Sequence, residues 1–433
     1  MDRRCSGAIA ARQRKVTRRW DRAFQVMIGV GLSLCASTAV EAQGSVRISG
    51  YGNMHYMDHD GVARLVGIQD LNNGFFQIRE FSLFFDIAIT DAVVASTEIE
   101  AGDNGTVYTA NYAYVDFQAT ANLSLRAGKV LVPFLSYNEN KPNFKQNLMS
   151  QPFTAWNLAP VNGIAINYRG FGWSDAGLVA NWNNELGGWG LFDVKVAVLN
   201  GLGSNSDVLD DNFVQLNAGM MTPVVRPRDG LIQNEITNSL RDNNNDKATV
   251  LKVTLQPLAL LSDIGFSWYR GKWNPSGTRN LTMLGAHFNV LQPNWTVKSE
   301  YVVAQVEQTA GSNPVADAGL MGPAPLNTST GDYDMHAWYV EASVIPVRGT
   351  NDRYLRLVGR FDDVDTNDQI GFTPFDRSRV TLGTEFQFAT NTRLRFEWQR
   401  SVIDDFQNAP APYIGAGGKE AITMAMASVI FSF

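Results

Sequence analysis

The segment that most restricts the fold is the last one, Ala421 to Phe433. Stepping back from Phe433 by two gives Phe431, Val429, Ala427 and Ala425, all apolar. The other parity gives Ser432, Ile430, Ser428, Met426 and Met424, a mixed set. A period of two is that of a strand with one face in an apolar medium. The alternation is sharper just upstream. Leu394, Phe396 and Trp398 oppose Arg393, Arg395, Glu397 and Gln399; Val380, Leu382, Phe386 and Phe388 oppose Arg379, Thr381, Glu385 and Gln387; Leu355, Leu357 and Phe361 oppose Arg356, Arg360 and Asp362. A soluble sheet buries the apolar face and wets the charged one. A wide membrane barrel does the reverse, with charges lining a water-filled lumen. Alternation alone does not choose between them.

Composition and the start of the chain narrow the choice. The mean hydropathy of −0.15 is far too low for a helical membrane protein, whose spans are runs of about 20 apolar residues. A barrel hides its membrane signal in alternation. Arg12, Arg14, Lys15, Arg18, Arg19 and Arg22 form a basic stretch, followed by an apolar run from Phe24 to Ala36 and small residues at Val40 and Ala42. That is the pattern of an export signal over residues 1–42, cleaved after Ala42 and read by the general secretory route. Residues 1–42 carry 8 of the 36 basic and 3 of the 42 acidic residues, so the remainder has a formal charge of −11. Both cysteines, Cys5 and Cys35, lie in the same segment, so residues 43–433 contain no disulfide framework.

Along residues 43–433, strand patterns are expected at 45–56, 74–89, 93–101, 107–118, 122–130, 163–170, 189–199, 248–258, 264–273, 281–291, 296–308, 333–345, 353–364, 377–388, 392–403 and 421–433. Residues 171–188 are ambiguous. The connections alternate in length. Short ones fall at 90–92, 119–121, 259–263, 292–295, 346–352 and 389–391; long ones at 131–162, 204–246, 309–332, 365–376 and 404–420. Turns on one rim and long loops on the other are the layout of an outer-membrane barrel. The expectation is therefore all-β: a transmembrane antiparallel β-barrel of sixteen strands, or eighteen if residues 176–183 form an extra hairpin, with short periplasmic turns and long external loops. The segment 131–162 holds Pro133, Pro142, Pro152 and Pro160 with Lys141 and Lys145. A connection of that length is functional or disordered.

At the fifth strand the residues become specific. Leu125-Arg126-Ala127-Gly128-Lys129-Val130-Leu131-Val132-Pro133-Phe134 resembles the strand-plus-turn of the phosphate-selective porin O and P family. Phe76 to Arg79, Ala113 to Phe117, Gly163 to Ile166 and Val198 to Gly201 resemble its second, fourth, sixth and seventh strands, and the terminal aromatic resembles the assembly signal of bacterial outer-membrane barrels, here Phe433, Phe431 and Val429. The resemblance implies a homotrimeric outer-membrane porin in contact with lipid, lipopolysaccharide and the barrel-assembly machinery. Its loop 131–162 would fold inward as a constriction, and small solutes such as phosphate or organic anions would pass by diffusion. The family lines its anion path with arginine and lysine. The candidates here are Arg126, Lys129, Lys141, Lys145, Lys252, Lys298, Arg356, Arg360, Arg379, Arg393 and Arg395. Two departures weaken phosphate specificity. Arg79 is followed by Glu80 rather than a second base, and Asp86, Glu98, Glu100, Asp116, Glu300, Glu385 and Glu397 share the expected lumen faces.

Other chemistries find little support. No phosphate-cradling glycine loop or zinc-protease motif is present. His55 and His59 are close, yet a solvated loop explains them better than a metal site, so neither metal nor cofactor is expected. The acidic balance disfavours nucleic acid. The expectation is a passive channel and no enzyme. The alternatives are a non-conducting barrel acting as adhesin or enzyme, and a secreted, carbohydrate-binding β-protein.

Overall fold

The computed structural model describes residues 44–60, 74–102, 107–155, 173–203, 244–308, 331–365, 377–403 and 421–433, together with the short pieces 214–216, 223–225, 311–312 and 328–329 and the single positions 242 and 368. Sixteen strands close one antiparallel barrel in sequence order. They are β1 (Val46–Asp60), β2 (Phe75–Thr90), β3 (Val93–Gly102), β4 (Val107–Gln118), β5 (Leu123–Leu131), β6 (Ser174–Glu185), β7 (Gly190–Leu199), β8 (Ala248–Pro257), β9 (Ser262–Lys272), β10 (Asn280–Leu291), β11 (Trp295–Val306), β12 (Tyr333–Arg348), β13 (Tyr354–Asp365), β14 (Arg377–Ala389), β15 (Thr392–Ile403) and β16 (Ala421–Ser432). The last strand pairs with β15 on one side. On the other it returns to β1, from Tyr51↔Ser432 to Asp60↔Thr423. Closure removes both edges of the sheet at this seam. No helix among the described residues is long and apolar enough to cross a membrane, which leaves crossing by strands open.

The alternation seen in the sequence is the inside and outside of this wall. Leu357, Phe361, Val380, Leu382, Phe386, Phe396 and Trp398 stand exposed on the outer face, and Val429, Phe431 and Phe433 continue it along β16. Arg360, Asp362, Arg379, Glu385, Arg395 and Glu397 are buried inside. An apolar band of this extent on the outside, with charges within, is inverted relative to a soluble sheet. At the seam the ring of Phe431 lies over Gly52, where an added Cβ would come within 2.5 Å of its Cζ.

Three sequence expectations change. The sixth strand is Ser174–Glu185, inside the stretch that was ambiguous; the expected strand at 163–170 lies outside the described residues, as does the expected export signal at 1–42. Residues 176–183 therefore form part of one strand rather than an extra hairpin, and the count is sixteen, not eighteen. The polar, asparagine-containing sequence of β6 hides the strand from a reading of alternation. The first strand also continues to Asp60, because β16 offers partners that far.

Strand β5 explains the glycine of the 125–134 motif. Gly128 has φ +133°, and a Cβ there would lie 2.4 Å from the Ala113 carbonyl oxygen of β4. Just above this point β5 parts from β4, which pairs with it only from Ala113 to Gln118, while β5 stays paired with β6 to Leu131↔Ser174. Replacing Gly128 by alanine imposes both a disfavoured φ and a backbone overlap, so Gly128→Ala is expected to destabilise the barrel by about 2 kcal/mol or more. Heat-modifiable electrophoretic mobility and urea unfolding of the variant test this; wild-type stability would show that β4 and β5 separate freely here.

Candidate functional site

The connection from β5 to β6 turns into the barrel. Its described part, residues 132–155, contains two single-turn 3-10 helices, Asn138–Asn140 and Asn143–Lys145. Val132, Phe134, Leu135, Tyr137, Leu148, Met149 and Phe153 are buried against the inner wall. Two wall glycines serve as sockets: an added Cβ would lie 2.6 Å from a Leu135 methyl at Gly285, and 2.4 Å from a Leu148 methyl at Gly383. Around Phe134, Leu135 and Phe153 an apolar cluster extends over the inner faces of β5 to β13, through Trp173, Tyr269, Trp273, Met283, Tyr333 and Met335. Phe84, which broke the alternation of β2, faces inward onto Phe144 at 6.3 Å between ring centroids. Met424, on the less polar inner face of β16, accepts a hydrogen bond from the Gln399 side chain at 3.2 Å, and β16 packs against the turn at Asn143–Lys145.

Apolar seating is supplemented by hydrogen bonds to the loop backbone from both signs of charge. Glu300 accepts the Ser136 and Tyr137 N–H groups at 2.8 and 2.6 Å. Glu397 accepts those of Met149 and Ser150 at 2.7 and 3.2 Å, and Asp362 accepts that of Phe153 at 3.2 Å. The loop carbonyls receive the cations. Arg360 donates to Ser150 O at 2.9 Å, Arg379 to Gln151 O at 2.6 Å, Arg393 to Phe144 O at 2.8 Å and Lys252 to Leu135 O at 2.6 Å. Arg395 donates to Gln146 O. A loop that leaves the sheet loses its ladder partners, and buried backbone groups must find others. Here the wall supplies them.

The expected anion-path residues thus divide. Arg360, Arg379 and Arg395 are almost wholly buried, held by Asp362 and Glu385 as well as by the loop. They are staples of the loop. Lys252 belongs with them, reaching Glu139 in addition to Leu135. Lys141 is buried 3.6 Å from Glu100 and 4.0 Å from Glu98. Lys129 is a correction. Arg126, Gly128 and Val130 face inward, so strict alternation puts Lys129 on the outer face with Leu125 and Ala127, where its Nζ donates to Ala110 O at 2.6 Å. The remaining five, Arg126, Lys145, Lys298, Arg356 and Arg393, border open space, although Arg393 and Arg356 also bond the loop at Phe144 O and Asn147 Oδ1.

Two interior cavities flank Phe144 and Lys145. The first, of about 330 Å³, is bounded by Arg47, Arg126 and Lys145 and by Asp86, Glu98 and Glu139, with Tyr112 and Tyr114. Arg126 there contacts Asp116 at 2.7 Å and stacks 4.0 Å above the Tyr114 ring. The second, of about 420 Å³, is bounded by Lys145, Lys298, Arg356 and Arg393 against one carboxylate, Asp263, with Tyr339 and Tyr354. The first is balanced in charge; the second has four lining cations against one lining carboxylate, with Arg356 and Arg393 also pairing with the buried Glu385 at 3.0 and 3.7 Å. The Lys145 side chain is exposed between them. Sequence reasoning missed Arg47, whose signal was its place on the same face of β1 as Ser49 and Tyr51. It also missed Glu139 and Lys195, which pair at 2.6 Å, because nothing in a loop sequence shows which strand it will meet. His55 is buried with its Nε2 3.2 Å from Gln77 Oε1, and the His59 side chain lies outside the described residues. Among the described residues no group of three His, Cys, Asp or Glu side chains is placed to hold a metal.

Two outcomes test the anchoring. Arg360→Ala leaves Asp362 and two loop carbonyls short of donors in a buried site, a loss on the order of 3–5 kcal/mol. Limited proteolysis should then cut within residues 143–155 in the variant and spare the wild type; equal resistance would show that apolar seating alone holds the loop. Burial pushes the Glu139 carboxyl up, but Lys252 and Lys195 pull harder and hold it at about 2, against an ordinary value of 4.5. A depressed folded value means stability present above pH 4.5 that is lost as pH falls towards 2. The Tm advantage of the wild type over Glu139→Gln, followed by circular dichroism, should shrink across that window; a constant difference would remove Glu139 from the anchor.

No protein-family model matches the chain. An uncharacterised protein of Aquifex aeolicus is 25% identical over 149 residues, which span 31% of this chain and 32% of that protein, so the chain matches about a third of its relative's length. Among solved structures, an anion-selective porin from Comamonas acidovorans superposes with a TM-score of 0.53 at 11% identity, over 90% of this chain and all of the porin. OmpF of Salmonella typhi, solved with daunomycin, does so with a TM-score of 0.51 at 9% identity, over 90% of this chain and 97% of its own. At these identities the likeness is one of fold, and the fold is the sixteen-stranded porin barrel.

Proposed function

We propose that this chain is an outer-membrane porin, a passive channel that admits small anions, such as phosphate or organic anions, ahead of cations. The observation that carries the reading is the second cavity, where Lys145, Lys298, Arg356 and Arg393 face one carboxylate inside a barrel whose outer wall is apolar. Fixed positive charge along a narrow path favours anions by local field and by replacing part of the hydration shell. The apolar belt supports placement in a bilayer, and a barrel of strands agrees with export of residues 43–433 after removal of 1–42 by the general secretory route. Insertion would use the terminal Phe433, Phe431 and Val429 as the signal for the barrel-assembly machinery, with lipid and lipopolysaccharide around the wall and three copies in the assembly. The balanced first cavity argues for a mild preference rather than phosphate specificity. Catalysis has no part in the reading.

A second reading has one observation behind it. The apolar cluster fills the inner faces from β5 to β13, as in a barrel that is plugged and does not conduct.

Planar bilayers separate the two. The purified protein should give discrete conductance steps, and a KCl gradient should give a reversal potential on the anion side. Lys145→Glu together with Lys298→Gln should move that potential to the cation side by neutralising the second cavity. Steps that ignore both substitutions would place selectivity elsewhere, and a folded but silent barrel would favour the plugged reading.

A further inference from the structure

The smaller cavity has a charge order that suits neither a plain anion nor a plain cation. Two inner rows of the wall meet there in register. Arg47 of β1 faces Asp86 of β2, which faces Ser96 of β3 and then Tyr114 of β4. In the next row Phe84 faces Glu98, and Glu98 faces Tyr112. Carboxylates therefore hold the middle of this wall, and a cation stands at its β1 end. Phe144 and Lys145 of the inward loop close the opposite side, and the space enclosed is about 330 Å³. Small-molecule sites run from about 300 to 1,000 Å³, so it has room for a compact solute.

The charges around it are not spent on one another. Arg47 and Lys145 are exposed, and neither forms an ion pair among the described residues. Asp86 accepts the Ser96 hydroxyl at 2.7 Å and leaves the facing Arg47 unpaired. Glu98 is wholly buried, and neither of its carboxylate oxygens accepts a hydrogen bond among the described residues; its ion-pair partner, Lys141, is 4.0 Å away. A buried carboxylate held this loosely is short of a donor. Arg126, at the far end, is already engaged by Asp116 and Tyr114, so the free cations are Arg47 and Lys145.

Aromatic rings frame the carboxylates. Tyr112 and Tyr114 lie 5.3 Å apart between centroids on one side of Glu98, and Phe84 meets Phe144 at 6.3 Å on the other. An ammonium group among ring faces and beside a carboxylate gains from both. A lone anion would meet Asp86 and Glu98, and a lone cation would meet Arg47 and Lys145, so each is opposed as well as attracted. A molecule that carries both charges satisfies both sets.

We infer that this cavity is a binding site for small zwitterions of the amino-acid type, α-amino acids or their betaine analogues. The ammonium group lies beside Asp86, among the rings and over Glu98; the carboxylate meets Arg47 and Lys145. The site goes beyond the anion channel, since it needs the barrel interior and not conduction.

The full-length protein is purified in an uncharged maltoside detergent and titrated with glycine and with glycine betaine, followed by saturation-transfer NMR. Acetate and tetramethylammonium serve as the single-charge halves. Both zwitterions should bind saturably, and each half should bind about tenfold more weakly or worse, the worth of one charge-assisted contact. Arg47→Gln and Asp86→Asn should each weaken glycine binding by a similar factor. If Asp86→Asn fails to fold, Arg47→Gln, at an exposed position, still decides. Betaine equal to glycine supports recognition by the rings, and glycine ahead of betaine supports recognition by the carboxylates. Absence of saturable binding by both zwitterions, acetate binding as tightly as glycine, or indifference to Arg47→Gln overturns the site. Conductance is recorded in parallel: an anion-conducting barrel that ignores zwitterions defeats the site and leaves the channel standing, while a silent barrel that binds glycine does the opposite.

Discussion

The interior of this barrel depends on the reciprocal satisfaction of one loop backbone by both signs of wall charge. Carboxylates of Glu300, Glu397 and Asp362 accept its N–H groups, while Arg360, Arg379, Arg393, Arg395 and Lys252 fill its carbonyls. Each partner alone would be a costly buried charge. Together they form alternating networks such as Arg360–Asp362–Arg379 and the three arginines around Glu385. Remove the loop, and these wall networks lose the backbone groups that complete them; remove the wall charges, and the loop has no ladder to replace the one it left.

This arrangement alters how lumen charge should be counted. A cation on the inner face is not thereby part of a permeation path. Its field is spent where it is paired, and the useful positive charge is what remains after the loop is held. Among the lining residues, cations outnumber carboxylates on one side of Phe144 and Lys145 and are matched by them on the other. The acidic mean charge of the chain and a cationic cavity are therefore compatible, since the two describe different parts of the molecule.

Much of the fold was legible because strand alternation and turn spacing are local properties. The two faces of residues 355–362, 380–387 and 394–399 could be separated by parity alone, as could the set Phe433, Phe431 and Val429, and the alternation of short and long connections then told which face is outward. The sixth strand was missed for a local reason too. Residues 174–185, with three asparagines and only short runs of apolar residues, carry little hydrophobic contrast, and the contacts that make them a strand come from β5 and β7. Lys129 was misplaced among the lumen cations by motif resemblance, although its parity with Leu125 and Ala127 already put it outside.

By itself, the sequence determined the class of architecture, the strand count to within one hairpin and the two faces of most strands, which follow from a period of two and from where polar, proline-rich stretches interrupt it; that segment 131–162 would turn inward was what the family resemblance implied. Only the tertiary structure decided which inner charges are anchors and which face open space. Arg360 and Arg356 share a strand and a parity, and four residues separate them; one is sealed beneath Ser150 and Gln151, and the other borders the cationic cavity. That difference is set by where residues 132–155 lie across the lumen, a path chosen by contacts more than a hundred residues apart in the chain, and no local pattern encodes it.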